Sequence, residues 1–226
     1  KKIEDILKKS SIFIGNEFLD TFPINQFVLS KECFKEVCID YKNQKLIFSH
    51  QVTSLSKTLD KKKLNQVRVN DILEINFESR KFIDKVSSFI KENNGGAIFF
   101  DYGYTSSHGD TFQAIRENKF VNPLDDPGNA DLTAHVDFND IAKQAINNLV
   151  NVWGPNTQRT FLKKMGAIER FKARESLSDN KIKQELRLGL NRLIDIDEMG
   201  KLFKVLAITS NKFPSPEGFT CGTRSS

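Results

Sequence analysis

Carboxylate and amide side chains follow two short apolar segments directly, in positions where they could take part in chemistry. Asn16, Glu17 and Asp20 come after the apolar run Ile12–Ile14, and Asp101 comes after the run AIFF. Two carboxylates that face one cleft suit a cationic group, above all a guanidinium, whose planar fork binds carboxylate oxygens in pairs. The competing interpretation, of equal weight for any one residue, is that Asp20 or Asp101 caps the turn after its strand.

A third group stands at the end of a long polar stretch, in the string DLTAHVDF. It brings Asp131, His135 and Asp137 close together in the sequence. A histidine near carboxylates can act as a base near neutral pH, or it can hold a loop by hydrogen bonds. The spacing alone favours the structural role for His135 slightly.

Several well-known catalytic and cofactor motifs are absent from the sequence. It contains no G-x-S-x-G, no Walker loop, no H-E-x-x-H and no G-x-G-x-x-G loop after a strand. Gly95-Gly96 precedes an apolar segment, so we interpret it as a helix cap and not as a cradle for phosphate or a cofactor.

The elements that must position these residues follow an α/β pattern. The run Ile12–Ile14 predicts a parallel strand buried on both faces. Apolar positions from Ser79 to Lys91 recur with helical spacing, and the helix should end at residues 93–96 before a second buried strand, AIFFDYGY. In open α/β sheets, ligands bind outside the carboxyl ends of the strands. The first two residue groups lie at such ends.

The remaining segments complete a coarse secondary-structure prediction. Residues 25–55 favour antiparallel strands with a turn near Tyr41–Gln44, whereas 56–75 and 103–133 are polar or lack clear periodicity. Further elements are expected at 2–9 (helix), Asp140–Val150 (helix, capped by Asp137 or Asn139), Thr157–Lys164 (helix), 180–194 (helix) and 202–209 (strand).

Composition narrows the class of protein. The 226 residues are 38% hydrophobic and 28% charged, with 19 Phe, which indicates a soluble globular chain. No apolar run reaches the roughly 18 residues of a membrane span, and a net charge of +5 is too mild to predict a nucleic-acid partner. The three cysteines (Cys33, Cys38 and Cys221) are too few for a disulfide framework, so a reducing compartment is favoured. They form no zinc pattern with the three histidines, and no metal is expected.

Segments spread over nearly the whole chain resemble, in order, the MidA-like family of S-adenosylmethionine (SAM) dependent methyltransferases. They are IGNEFLDTFPINQF (14–27), GGAIFFDYGY (95–104), GDTFQAI (109–115), DPGNADLTAHVDF (126–138), GPNTQRTFLKKMG (154–166), MGKLFKVLAI (199–208) and PEGF (216–219). The string DPGNADLTAHVDF is the most specific of them. The family has a mitochondrial member that methylates an arginine of a complex I subunit.

The resemblance implies a partial Rossmann-like class I methyltransferase fold, an α/β fold, with an inserted cap. We expect one domain over 1–226, a β-rich cap at 25–75 and a frayed tail at 220–226. Family members carry an E-x-G-x-G loop that grips SAM before the Asn-Glu motif, and this sequence, which begins without Met, has none. It is expected to be the C-terminal portion of the fold, from a split gene, a misassigned start or a trimmed chain. SAM would then bind only when the N-terminal part is supplied.

The resemblance also assigns roles to residues. Asn16, Glu17 and Phe18 would contact the cofactor, and Asn16, Asp131, Tyr102 and Tyr104 would bind the substrate. The catalytic set would be Glu17, Asp20, Asp101, His135 and Asp137, in which the aspartates orient a guanidinium and His135 organises the loop or accepts a proton. The implied partners are a protein substrate and the chain's own N-terminal half, in the mitochondrial matrix or a bacterial cytoplasm.

Two alternatives stay open at this stage. Without the cofactor loop, the chain could be an inactive remnant or a protein-interaction module, because a sheet cut after its third strand exposes an edge and an apolar face. A hydrolase that uses His135 with a carboxylate is disfavoured by the absence of a nucleophile elbow.

Overall fold

The computed structural model describes residues 3–5, 8–30, 33–59, 68, 70–105, 109–219 and 222–223. Cys221 and most of the tail at 220–226 lie outside these residues. The chain divides into two compact units: the first comprises residues 1–20, 79–105 and 136–226, and the second comprises 21–78 and 106–135. The segment 25–75, expected to be an inserted cap, lies in the second unit.

The strands are β1 (Ser11–Asn16), β2 (Asn25–Leu29), β3 (Phe34–Lys42), β4 (Lys45–Gln51), β5 (Ile72–Ile75), β6 (Gly95–Tyr104), β7 (Gln113–Arg116), β8 (Lys119–Val121), β9 (Asp131–Thr133), β10 (Val136–Asp137), β11 (Asn151–Thr157), β12 (Phe203–Thr209) and β13 (Gly222–Thr223). The α-helices are α1 (Phe77–Asn93), α2 (Phe138–Asn147), α3 (Gln158–Lys164), α4 (Ala167–Ser176), α5 (Asn180–Ile194) and α6 (Met199–Leu202). Short 3-10 turns occupy Ile3–Asp5, Leu19–Thr21 and Leu55–Thr58. Of the helix expected at 2–9, the described residues form a 3-10 turn at Ile3–Asp5 and a bend at 8–9.

The first unit is built on a mixed sheet in the order β1-β6-β12-β11-β13, with β10 beside the carboxyl end of β6. Strands β1 and β10 run parallel to β6, and β12 runs antiparallel to it. The sheet core is apolar because β12 buries most of its length, including Val205, Leu206 and Ile208. The parallel pairing of β1 with β6 places two carboxyl ends side by side.

Strand β1 lies at the sheet edge, and the prediction that it is buried on both faces is wrong. Phe13 packs edge-on against Phe89 of α1, with ring centroids 5.4 Å apart. Ile12 and Ile14 point to the other face and are 65% and 75% exposed. The apolar run does form a strand, but only the face toward α1 is covered by the described chain.

Helix α1 confirms the periodicity, because Ile83, Val86 and Ile90 are fully buried. Its end differs from the expected glycine cap: Asn94 takes the left-handed conformation with φ 57°, and Gly95 already starts β6. Glycine is needed at 95 because a Cβ there would lie 2.2 Å from the carbonyl oxygen of Ser11 on β1.

The second unit contains two antiparallel sheets. The strand order of the first is β4-β3-β2-β5, and its core is Phe27, Phe34, Leu73 and Ile75. The predicted turn is confirmed, since Asn43 and Gln44 both have positive φ between β3 and β4. The polar segment 56–75 ends in β5, which periodicity missed.

The segment 103–133 is not a connection without structure. It contains β7, β8 and β9, which pair in the order β8-β7-β9. These strands are three or four residues long, too short for an alternating pattern to stand out. The tight turn at Glu117-Asn118, with both φ values positive, connects β7 to β8.

The later helices agree with the prediction in place and type. Asp137 caps α2, as one of the two expected caps, and Asp179 caps α5. Thr157 caps α3 through a bond from the Thr160 N–H. Helix α4 and strand β11 were not predicted.

Candidate active site

The carboxyl ends of β1 and β6 lie next to each other, as the two strand-end groups require. The register pairs Asn16 with Phe100, so Asp101 is the next residue along β6. Asn16, Glu17 and Phe18 are exposed at this edge. The structure thus brings the first two residue groups of the sequence analysis together.

A tight turn follows β1 and presents Glu17. Glu17 has φ 45°, in the left-handed region that disfavours residues other than glycine. Its N–H donates to the carbonyl oxygen of Phe100 at 2.9 Å, which ties the turn to β6. The Phe18 ring packs against Phe82 of α1, with centroids 5.1 Å apart. Glu17 is thereby held at the strand end with its carboxylate toward solvent.

Asp101 is buried beneath this turn, with 1% of its surface exposed. Its Oδ2 accepts hydrogen bonds from the N–H groups of Phe18, Leu19 and Asp20 at 3.1, 2.8 and 3.3 Å. Its Oδ1 accepts from the N–H of Tyr102 at 3.0 Å. The carboxylate is therefore occupied by backbone donors of the turn.

The electrostatics of Asp101 combine opposing effects. Burial, followed by the neighbouring charge of Asp20, raises the pKa of Asp101 from 3.8 to about 7, although the three backbone N–H bonds act to lower it. Desolvation disfavours the charged form of a carboxyl, whereas hydrogen bonds to that form favour it. Asp101 therefore titrates near neutral pH.

Asp20 and Tyr102 complete the cluster. The Tyr102 hydroxyl donates to Asp20 Oδ2 at 2.6 Å, and its ring packs against Phe203. Asp20 is 5% exposed, and its Oδ1 is buried with no hydrogen-bond partner in the part of the chain that the structure describes. The Asp20 carboxylate lies inside the protein.

Asp137 and Tyr104 lie farther along the same edge. Strand β10 pairs in parallel with the end of β6, with Asp137 opposite Tyr104. Asp137 Oδ1 accepts from the N–H groups of Asn139 and Asp140, both at 3.1 Å. The structure gives Asp137 the role of a helix cap at this position, and Tyr104 is half-buried.

His135 and Asp131 belong to the second unit, whereas Asp137 belongs to the first. Asp131 is exposed on β9, opposite Ile115. The His135 N–H donates to Thr111 Oγ1 at 2.9 Å, and the Thr111 hydroxyl donates to Glu74 at 2.6 Å. Asp131, His135 and Asp137 are close together in the sequence. They do not form one cluster within either unit, because Asp137 belongs to a different unit from the other two.

Two charged residues that the sequence analysis did not single out organise the structure within their own units. Glu74 also accepts from Gln26 and from the Thr111 N–H, at 2.8 and 2.7 Å. Lys204 donates to the carbonyl oxygens of Gly103, Lys201 and Leu202, and burial, followed by the charge of Lys201, lowers its pKa. The available signal was a lysine inside the apolar strand segment FKVLAIT.

Neither a metal-binding cluster nor a membrane-spanning helix occurs among the described residues. There, no group of three or more His, Cys, Asp or Glu is placed to hold a metal ion. No α-helix within the described ranges combines the length and the apolar character that crossing a membrane requires.

The mixed sheet, with helices on it and exposed polar groups at its parallel strand ends, defines a Rossmann-like methyltransferase fold. Two crystal structures of Burkholderia thailandensis proteins share it. One, an uncharacterized protein, has a TM-score of 0.85 at 22% identity, and the match covers 98% of this chain and 61% of the chain of that protein. The other, bound to S-adenosyl-homocysteine, has a TM-score of 0.80 at 21% identity and covers 98% and 59%.

The family follows from the sequence comparison. The family model described as putative S-adenosyl-L-methionine-dependent methyltransferase matches residues 1–156, and the chain belongs to this family. The resemblance to SAM-dependent methyltransferases is thereby confirmed.

Curated relatives are named protein arginine methyltransferase NDUFAF7, mitochondrial. That of Danio rerio is 33% identical and covers 91% of this chain and 49% of its own length. The relative from Homo sapiens is 29% identical, and the match covers 92% of this chain and 47% of the length of that relative. The Caenorhabditis elegans homolog is 33% identical and covers 92% and 49%. The chain spans about half the length of the curated relatives it matches.

Proposed function

We propose that this chain takes part in SAM-dependent methylation of protein arginine residues and supplies the β1 and β6 strand ends of the active site. The observation that carries the proposal is the exposed group Asn16, Glu17 and Phe18 at the carboxyl end of a parallel strand. Ligands bind at this place in open α/β sheets. The family membership and the S-adenosyl-homocysteine bound to a structural neighbour support it.

The side chains at the strand end fit SAM as one part of its site. SAM carries a positively charged sulfonium and an ammonium, and the exposed Glu17 carboxylate suits either cation. The Asn16 amide offers a donor and an acceptor, and Phe18 offers an exposed aromatic edge. When bound, SAM supplies an electrophilic methyl group for in-line transfer to a nitrogen.

The chain's own residues would bind and orient the arginine. Among the carboxylates at the ends of β1 and β6, Glu17 is exposed, whereas Asp20 and Asp101 are buried. We therefore assign to Glu17 the contact with the guanidinium or with the cofactor. Tyr104 and Asp137 lie at the end of β6 and β10 on the same edge, and we keep them as substrate contacts. Positioning of the reacting groups supplies much of the rate of such a transfer.

The other residues implied by the resemblance take supporting roles in this proposal. Asp20, Asp101 and Tyr102 bind one another or the backbone below the strand end. His135 and Asp131 stay predicted site residues, and within the second unit the His135 N–H bonds Thr111.

We further propose that the N-terminal half of the fold docks on β1 and brings the glycine loop for SAM. β1 pairs only with β6 among the described strands, which leaves one row of its backbone N–H and C=O groups for another strand. Ile12 and Ile14 offer an apolar surface beside that edge. The animal relatives are named as mitochondrial, and the mitochondrial matrix stays a prediction for this chain.

The alternative function is a non-catalytic interaction module. The occupied carboxylates favour it, because Asp101 and Asp137 already bond backbone N–H groups and Asp20 is buried. In this case the exposed edge of β1 would serve association without methyl transfer.

The decisive experiment begins with the DNA upstream of the codon for Lys1, read for an E-x-G-x-G segment after an apolar strand. The polypeptide encoded there is co-expressed with the 226-residue chain, and S-adenosyl-homocysteine binding is measured by calorimetry. Binding by the pair supports an enzyme whose SAM site is formed by both polypeptides. Absence of binding by the pair and by either chain alone contradicts it and favours the interaction module.

Substitutions then test the roles. Glu17→Gln and His135→Ala in the co-expressed pair should abolish transfer of labelled methyl groups from SAM to protein arginine without unfolding the protein. Glu169→Gln, an exposed glutamate on α4, is the matched control and should leave transfer unchanged. Full activity of both variants would contradict the assignments.

A further inference from the structure

We propose that Asp101 is a positioning residue, which holds the turn after β1 and so aims Glu17, and that it does not contact substrate. This inference rests on the proposed function for its chemical consequence. Its structural part concerns a single turn and its buried anchor.

Three of the four hydrogen bonds that Asp101 accepts among the described residues come from the turn, and the fourth comes from Tyr102 on β6. Its Oδ2 gathers the N–H groups of three successive residues, Phe18, Leu19 and Asp20, within 3.3 Å. A carboxylate that collects successive N–H groups fixes the backbone that carries them, and such charge-assisted bonds are among the stronger ones in proteins. At 1% exposure, Asp101 cannot reach a bound arginine itself.

Tyr102 holds the same turn through a side chain of the turn. It follows Asp101 on β6, and its hydroxyl holds the Asp20 side chain at 2.6 Å. Two successive residues of β6 therefore hold both the backbone and the last side chain of the turn. The buried, unpartnered Asp20 Oδ1 is costly, and the repulsion between the two carboxyls raises the pKa of Asp101. An aspartate that only capped a turn would need neither an unpartnered carboxylate oxygen beside it nor a raised pKa.

Glu17 depends on this anchor because its own backbone is strained. Its φ of 45° is maintained by the bond of its N–H to Phe100 and, from the next residue on, by Asp101. Strained backbone persists only where the surrounding contacts determine it. Without Asp101, the turn relaxes and Glu17 leaves the strand end.

The first test measures hydrogen exchange in the 226-residue chain by mass spectrometry. At pH 8, where the Asp101 carboxyl is ionised, the N–H groups of residues 18–20 should exchange about tenfold faster or more in Asp101→Asn, because their acceptor no longer carries a charge. Asp84→Asn is the matched control, because Asp84 is half-buried but accepts hydrogen bonds from Gln144 on α2 and from Asn148, the C-cap of that helix. Unchanged exchange of residues 18–20 in Asp101→Asn would overturn the proposal.

The second test asks whether Asp101 acts through Glu17. In the co-expressed pair, S-adenosyl-homocysteine affinity is measured for Asp101→Asn, Glu17→Gln and the double variant. If Asp101 only positions Glu17, each single variant should weaken binding by about tenfold and the double variant no further. Fully additive losses would show an independent role for Asp101 and overturn the proposal.

Failure of the proposed function is distinguishable from failure of this inference. A wild-type pair that does not bind S-adenosyl-homocysteine contradicts the proposed function, and the exchange test then decides the role of Asp101 on its own. If Asp101→Asn does not fold, Tyr102→Phe replaces it. Loss of the hydrogen bond from the Tyr102 hydroxyl to Asp20 should speed exchange of the Asp20 N–H in a folded protein. Unchanged exchange of that N–H would contradict the proposal that β6 holds the turn.

Discussion

Asp101→Asn is expected to flatten the pH dependence of the free energy of unfolding between about pH 4 and pH 7. The pKa of Asp101 is about 7 in the folded protein, against an ordinary value of 3.8. Between these values the folded state binds more protons than the unfolded state, so the free energy of unfolding of the wild type should fall as pH rises. Above the folded pKa the contribution of this residue becomes constant.

The magnitude follows from the shift. One pKa unit corresponds to about 1.4 kcal/mol, so the rise of Asp101 from 3.8 to about 7 amounts to about 4 kcal/mol across the whole window. The steepest slope is about 1.4 kcal/mol per pH unit. Other groups titrate in both proteins, and the difference between wild type and Asp101→Asn removes their contribution.

The assay is urea unfolding from pH 4.5 to 8, followed by tryptophan fluorescence. Trp153 is the single tryptophan of the chain and is buried on β11, so it reports on the first unit. Weaker hydrogen bonds to the turn shift the variant's curve by a constant, and the slope of that curve remains the diagnostic quantity. Parallel curves for wild type and variant would refute the reasoning.

Asp20→Asn gives a second check on the cause of the shift. Burial is the largest cause of the raised pKa of Asp101 and the charge of Asp20 the next. The Asp20→Asn protein should therefore keep the greater part of the wild-type slope. A slope lost entirely in Asp20→Asn would mean that charge repulsion, and not burial, dominates.

Three further outcomes are expected. Gly103→Ala should destabilise the first unit by about 2 kcal/mol, because its Cβ would lie 2.1 Å from the Val136 carbonyl oxygen; a stability equal to wild type in urea unfolding would contradict this. Asp137→Ala should cost about 1 kcal/mol through loss of the α2 cap, measured in the same way, and a neutral effect would count against the cap. Ile14→Asp should weaken association with the co-expressed partner by about tenfold or more, whereas the comparably exposed Leu188→Asp on α5 should not; equal affinities by calorimetry would exclude β1 as the docking edge.

The elements with strong periodicity were predictable from the sequence. Helix α1 and helix α5 place apolar residues at helical spacing over 17 and 15 residues, and both were confirmed. Strand β6 was predicted from an apolar run that follows a helix end. The short strands β7 to β9 were not, because pairing with neighbours distant in sequence, rather than local pattern, makes them strands.

The burial of Asp101 could have been read from alternation along β6. Phe99, Asp101 and Gly103 share one face of the strand, and all three are buried. A carboxyl on the face of a core phenylalanine points inward, whatever its distance from the strand end. The unpartnered oxygen of Asp20 could not have been predicted, since it depends on where Tyr102 places its hydroxyl.

The pairing of β1 with β6 has a consequence for the order of folding. The register joins Ser11 to Gly95, and β6 in turn pairs with β12, from Tyr102 with Phe203 to Gly96 with Thr209. Residues 21–78, the first segment of the second unit, are synthesised after β1 and before β6. Contacts so distant in sequence are slow to form, so during translation the β2–β5 sheet can assemble while β1 still waits for β6. The apolar residues of β1 are then solvent-exposed on a nascent chain, which makes this strand the point where chaperone binding or aggregation competes with correct folding.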